Sequence, residues 1–148
     1  MKNVLQDTFN WFSKARPSST SKDVHSQLGC HFEEVGEMID ELEGKDEHTK
    51  ILLMAARLAV RDLANHLKQN DKIISIHRPV DYLDAICDQI VTATGCAELQ
   101  GYDLIGALNE VNRANYSKFD DNGKPIFDEN KKVTKGPRYL KANLNYFI

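Results

Sequence analysis

The chain has 148 residues, of which 41% are hydrophobic and 28% charged, close to the balance of an ordinary globular domain. That composition excludes a disordered tail, and the longest runs free of charge, such as Gln89 to Ala97, are nine residues, far short of the roughly 20 that span a membrane. Cys30, Cys87 and Cys96 are scattered without C-x-x-C spacing, and residues 1–16 contain no apolar run resembling a secretory signal. Neither a disulfide framework nor a cysteine zinc site is expected, and a reducing cytoplasmic location is.

The net charge of −3 conceals an asymmetry. Residues 1–110 carry 11 Lys/Arg against 18 Asp/Glu, a balance of −7, whereas residues 111–148 carry 8 against 4, a balance of +4. An acidic body suits cations and a basic tail suits a polyanion, either a nucleotide triphosphate or nucleic acid.

In chain order, Val4, Leu5, Phe9, Trp11 and Phe12 predict a first helix over about 3–15, stopped by Pro17. Arg16-Pro-Ser-Ser-Thr-Ser reads as a loop. Ser21 or Asp23 is expected to cap a second helix running to about Gly44. Its apolar stripe, Leu28, Phe32, Val35, Ile39 and Leu42, advances by alternating steps of four and three. Ile51, Leu52, Ala55, Leu58, Ala59, Leu63 and Leu67 predict a third helix over about 48–69, followed by a strand or linker at Lys72 to His77. Pro79 suits the first turn of a fourth helix, and Gly101 its stop near Gln100. Asp103 is the expected cap of a fifth helix over about 103–117 that buries Leu104, Leu108 and Val111. Beyond Lys118, Asp120-Asp-Asn-Gly123 and Asp128-Glu-Asn-Lys131 are turn signals around a small hairpin or ordered loop. The expected fold is all-α: one domain over 1–148, with a bundle of four to five helices to about 118, then a short non-helical C-terminal hairpin and basic tail over 119–148.

Carboxylates carry most of the functional information. Glu33, Glu34 and Glu37 fall within five residues of the second helix, and like charges one turn apart repel by a few tenths of a kcal/mol unless a cation is present. Taken alone, they read as a solvated face. On the fourth helix Asp81, Asp84 and Asp88 fall within about a 60° arc, although Asp is a poor helix former. The uncharged segment that follows, Gln89 to Ala97, reads as buried all round. Carboxylates leading into a buried helix need a compensating positive partner. A metal is the partner these acids suggest, and hard oxygen donors suit Mg²⁺, with Mn²⁺ as the alternative. A di-iron carboxylate site is excluded, because no His stands three residues after a Glu.

Glu33-Glu34-x-x-Glu37 followed by Asp81-x-x-Asp84 resembles the E-E-x-x-E … E-x-x-D signature of the MazG-like all-α nucleoside triphosphate pyrophosphohydrolases, a superfamily that includes phosphoribosyl-ATP pyrophosphohydrolases and dimeric dUTPases. Asn112-x-x-Asn115-x-Ser117-Lys118 and Lys135-Gly136-Pro137-x-Tyr139 resemble the tail of the phosphoribosyl-ATP pyrophosphohydrolase-like branch. The chain departs from the pattern in having Asp81 where the family has Glu, and in a longer spacer between Glu37 and Asp81. Asp84-x-x-x-Asp88 is therefore a second register for the same ligand pair.

The resemblance implies an Mg²⁺-dependent enzyme that cleaves a nucleotide between its α and β phosphates, giving a monophosphate and pyrophosphate. It implies metal ligation by Glu34, Glu37, Asp84, Asp88 or Asp81, and a carboxylate, Glu33 or Glu34, as general base toward water. Lys118, Lys135 and Arg138 are the expected phosphate contacts, Asn112 and Asn115 the base- or sugar-reading amides, and Tyr139 a further substrate contact. The partners implied are a nucleoside triphosphate and a second copy of the chain, in a homodimer or homotetramer. The alternatives are a non-catalytic nucleotide- or metal-binding regulator, and a nucleic-acid-binding module using the basic tail, which the −7 body opposes.

Overall fold

The computed structural model describes residues 3–128 and 133–148. Five helices account for the ordered backbone: α1 (Val4–Ala15), α2 (Ser21–Asp40), α3 (Glu47–Gln69), α4 (Pro79–Glu98) and α5 (Leu104–Tyr116). The all-α expectation therefore holds, with each helix within a few residues of its sequence signals.

The helix ends follow from capping chemistry. Thr20, one residue before Ser21 and three before Asp23, the expected caps, opens α2. Its hydroxyl accepts from Asp23 N while the Asp23 carboxylate accepts from Thr20 N at 2.9 Å, a reciprocal capping box. α2 stops at Asp40, short of Gly44, because Glu41 N and Leu42 N turn back to the Met38 and Ile39 carbonyls and tighten the last turn. Gly44 instead lies against the start of α3, where a β-carbon would come within 2.7 Å of Lys50 N. Asp46 caps α3 by accepting from Thr49 N at 2.9 Å and from Thr49 Oγ1 at 2.6 Å, and these bonds hold its carboxyl below the usual range. Pro79 occupies the first turn of α4 as expected. Gly101, at φ +79°, reverses the chain beyond that helix. Asp103 accepts from Gly106 N at 2.9 Å and caps α5.

Of the two readings for residues 72–77, strand or linker, the linker is the one found, with Lys72 at φ +58°. The expected C-terminal hairpin is marked among the described residues by an antiparallel bridge between Phe127 and Val133. Its second turn, from Glu129 through Lys132, lies outside the described residues.

The helices sort into two compact units, Ser18–His77 and Met1–Pro17 with Arg78–Ile148. In the first, α2 packs along α3. Close approach depends on glycine: a β-carbon at Gly29 would fall 2.7 Å from Ala64 O and 2.6 Å from Lys68 Cγ, while one at Gly36 would meet Val60 and Arg61 at an ordinary 3.7 Å. Ala64 and Leu67 are buried at this seam. In the second unit α1 packs on α5. Thr8 Oγ1 donates to Asn112 Oδ1 at 3.0 Å, and Trp11 stacks on the buried Phe119 ring at 5.8 Å.

α4 corrects the expectation of a helix buried all round. None of its residues is buried, and Ile90 and Val91 are 47% and 66% exposed. The missing charges between Gln89 and Ala97 mark an exposed, largely apolar surface.

The seam yields a paired expectation. Gly29→Ala should destabilise by about 1–3 kcal/mol, because helix backbone must move to admit the methyl. Gly36→Ala should be neutral or stabilising by up to about 1 kcal/mol, since alanine is the better helix former. Urea titrations followed by circular dichroism would separate the two, and equal losses would show that Gly29 is not the contact point.

Candidate functional site

The acids of α2 divide between two faces. Glu33 Oε1 accepts from Lys68 Nζ of α3 at 2.6 Å, and Asp40, seven residues on, accepts from Arg57 Nη1 at 3.0 Å and Arg61 Nη2 at 2.6 Å. These pairs tie α2 to α3 along the edge of the seam. Glu34 and Glu37 are exposed, and no cation approaches the Glu37 carboxylate among the described residues. The three cationic partners were not readable from the sequence, since they lie 17 to 35 residues further along the chain.

On α4 the three aspartates also differ. Asp81 is engaged by Arg78 across the first turn, where the positive end of the helix dipole also favours it. Asp84 and Asp88 are exposed and have no side-chain partner among the described residues. They stand one turn apart on one face, where β-carbons are about 5–6 Å from each other. Of the two registers considered for this helix, Asp84-x-x-x-Asp88 is the one whose carboxylates are both unengaged. Among the described residues no group of three or more His, Cys, Asp and Glu side chains gathers as a metal site. Each acidic helix presents a pair of oxygen donors of the hard type that Mg²⁺ takes.

The tail residues are largely engaged within their own unit. Asn112, only 3% exposed, donates from Nδ2 to Val4 O at 3.1 Å and accepts from Thr8, so its amide fastens α5 to α1. Asn115 Oδ1 accepts from Lys118 Nζ at 2.8 Å, and the same ammonium lies 5.9 Å from the Trp11 ring. Arg138 donates to the Phe119 and Asp120 carbonyls and to Asp121 Oδ1 at 2.9 Å. Lys135 is exposed and lies over the Tyr139 ring at 5.0 Å. Tyr116 packs its edge on Phe119 and donates to Asp7 O at 3.2 Å, and burial pushes its phenol up. Of the residues expected to meet phosphate, Lys135 is the one that, among the described residues, is held by nothing stronger than an aromatic face.

A latch on α5, unremarked in the sequence, fixes the chain end. The Glu110 carboxylate takes two bonds from Arg113, both 2.7 Å, and one from Asn143 N at 3.0 Å. Arg113 reaches on to Lys141 O at 3.1 Å, and Ser117 Oγ accepts from Leu140 N at 3.0 Å. The i,i+3 pairing of Glu110 and Arg113 was legible in the sequence; its hold on residues 140–143 was not.

No family model matches the chain, and no curated protein or solved structure matches it. No helix among the described residues is long and apolar enough to cross a membrane.

The latch has a defined pH response. Hydrogen bonds from Arg113 first, then from Asn143 N, hold the Glu110 carboxyl at about 2 against a usual 4.5. A depressed carboxyl contributes stability above its unfolded value and loses it as pH falls toward the folded one. The Asn143 amide should therefore stay protected from exchange down to about pH 4 and lose protection between there and pH 2. Glu110→Gln should expose it already at neutral pH, by exchange measured residue by residue.

Proposed function

We propose that the chain is a Mg²⁺-dependent nucleoside triphosphate pyrophosphohydrolase of the MazG-like kind. The observation that carries this reading is the contrast among the acids. Glu33, Asp40 and Asp81 have cationic partners, while Glu37, Asp84 and Asp88 stand exposed without one among the described residues. Carboxylates kept on helices at one-turn spacing, unneutralised, suit a divalent cation delivered with a phosphate substrate. The donors fit Mg²⁺ in chemistry, with Glu34 and Glu37 on α2, and Asp84 and Asp88 on α4, as the acids each helix would offer it.

Bound there, the ion would neutralise phosphate charge and favour ionisation of a nearby water. Among this chain's own groups, Glu33, which also accepts from Lys68, or Glu34 is the carboxylate assigned to remove the water proton. Water adds to the α-phosphorus as the bond to the β-phosphate bridging oxygen breaks, and the pyrophosphate leaves with that electron pair. Lys135 supplies a point charge toward the phosphates without dismantling any fold contact.

The test is pyrophosphate release from a panel of ribo- and deoxynucleoside triphosphates with Mg²⁺. Glu37→Gln and Asp84→Asn should each lower kcat/KM by at least about 100-fold, while apo thermal stability is unchanged or raised by relief of like-charge repulsion. Full activity in both variants would sink the assignment. Lys135→Gln should raise KM with the melting temperature unchanged. Mg²⁺ binding without pyrophosphate release from any nucleotide would favour a regulator built on the same scaffold.

Assembly belongs to the same proposal. Val80, Leu83, Ile86, Ile90 and Val91 leave α4 apolar and uncovered, and a second copy of the helix offers a matching surface by symmetry. Light scattering at micromolar concentration should give at least a dimer mass, and Ile90→Asp should reduce it to that of the monomer. A monomeric mass for the unaltered chain would contradict the dimer while leaving the acid assignment intact.

A further inference from the structure

His25 is the most deeply buried titratable side chain on α2, at 3% exposure, and it takes no part in the proposed chemistry. Its two ring nitrogens have opposite duties. Nδ1 lies 2.8 Å from Ser21 O, a carbonyl that can only accept. Nε2 receives Ile73 N at 3.1 Å and Ile74 N at 3.3 Å, backbone amides that can only donate. Both demands are met by one form alone, the neutral imidazole with its proton on Nδ1. The imidazole thus clamps the connector that follows α3 onto α2.

The surroundings make the clamp a focal contact. Ser21 Oγ donates to Asp71 Oδ1 at 2.5 Å, and Lys22 Nζ donates to the Lys68 and Asn70 carbonyls at 2.6 and 3.1 Å. Between these bonds and the His25 contacts, Lys72 is held at φ +58°, a conformation a lysine adopts at a cost. The charged groups that face the ring are few. Asp71 Oδ1 lies 3.7 Å from Nδ1 and comes from the connector, as does neighbouring Lys72. Lys22 is on α2 itself. From the end of α3 come Lys68, paired with Glu33, and His66, bonded to Asn70.

We propose that His25 is a proton-operated clamp that fixes residues 73 and 74 to the α2–α3 hairpin when neutral and releases them when protonated. Protonation places a hydrogen on Nε2, so that three donors converge where one acceptor stood, and the two amides must leave. Asp71, held by Ser21, remains beside Nδ1 to receive the charged ring. Imidazole is the side chain whose charge changes between about pH 5 and 8. The released stretch leads from α3 to α4, so acidification lengthens the free chain ahead of α4 from residues 75–77 to residues 73–77. The inference is independent of any enzymatic activity.

The experiment is residue-resolved amide exchange on the full chain from pH 8 to pH 5, corrected for intrinsic rates, with imidazole ¹⁵N shifts recorded on the same samples. The expected shifts at pH 8 are those of the Nδ1–H tautomer. The Ile73 and Ile74 amides should lose about tenfold or more of their protection in step with the His25 titration, while Asn70 N, bonded to His66 O, should not follow it. In His25→Gln, whose amide oxygen can accept but not titrate, that pH dependence should vanish. The shifts and the unaltered chain's profile decide the matter even if this variant fails to fold. An Nε2–H tautomer, an imidazole neutral throughout the range, or protection at residues 73 and 74 indifferent to its titration would each overturn the proposal.

Discussion

Two helices laid side by side can cover only one face of each, and that constraint governs this chain. α2 and α3 spend their inner faces on each other at a seam narrow enough to need Gly29, where the buried apolar side chains are Ala64 and Leu67. On α3, Ile51, Leu52 and Leu58 are each about half exposed. α4 carries the same deficit further, with no buried residue at all. Chains of this size normally remove about two thirds of their unfolded surface from water. Apolar faces of this extent are the usual mark of an interaction surface.

The seam also explains how the acids are apportioned. Once α3 lies against α2, the carboxylates that border the contact, Glu33 and Asp40, meet Lys68, Arg57 and Arg61 and become part of the packing. Those rotated away, Glu34 and Glu37, stay on the outside. The same sorting occurs on α4 without any packing partner, because Arg78 reaches Asp81 alone. A charged string that looks uniform in one dimension is thus divided by geometry into structural pairs and exposed donors.

Helix existence and type were legible because they depend on local periodicity and caps: the stripe from Leu28 to Leu42, Pro79 at the start of α4, Asp103 before α5. The end of α2 moved because its last turn tightens at Glu41 and Leu42, leaving Gly44 to pack against Lys50. For the candidate site, spacing alone puts Glu37, Asp84 and Asp88 on helix faces, and all three are exposed there. It could not foresee that Asn112 would be consumed by Val4 and Thr8 of α1, or that Arg138 would hold the Phe119 and Asp120 carbonyls. Both contacts join parts of the chain whose pairing no local pattern encodes. α4 misled for the opposite reason: an uncharged segment reports that a surface wants cover, not that the same chain supplies it.

The stack of Trp11 on Phe119 has a practical corollary for anyone following this molecule in solution. Trp11 is the only tryptophan, and the tyrosines at 82, 102, 116, 139 and 146 belong with it to the unit of Met1–Pro17 and Arg78–Ile148. Ser18–His77 contains neither residue type, only Phe32 among the fluorescent rings. Emission and near-ultraviolet dichroism therefore witness the α1–α5 pairing and are blind to the α2–α3 hairpin, which contributes only to the peptide signal. A far-ultraviolet melt that runs ahead of the fluorescence melt would not be an artefact of two instruments. It would be the spectroscopic signature of the hairpin opening by itself.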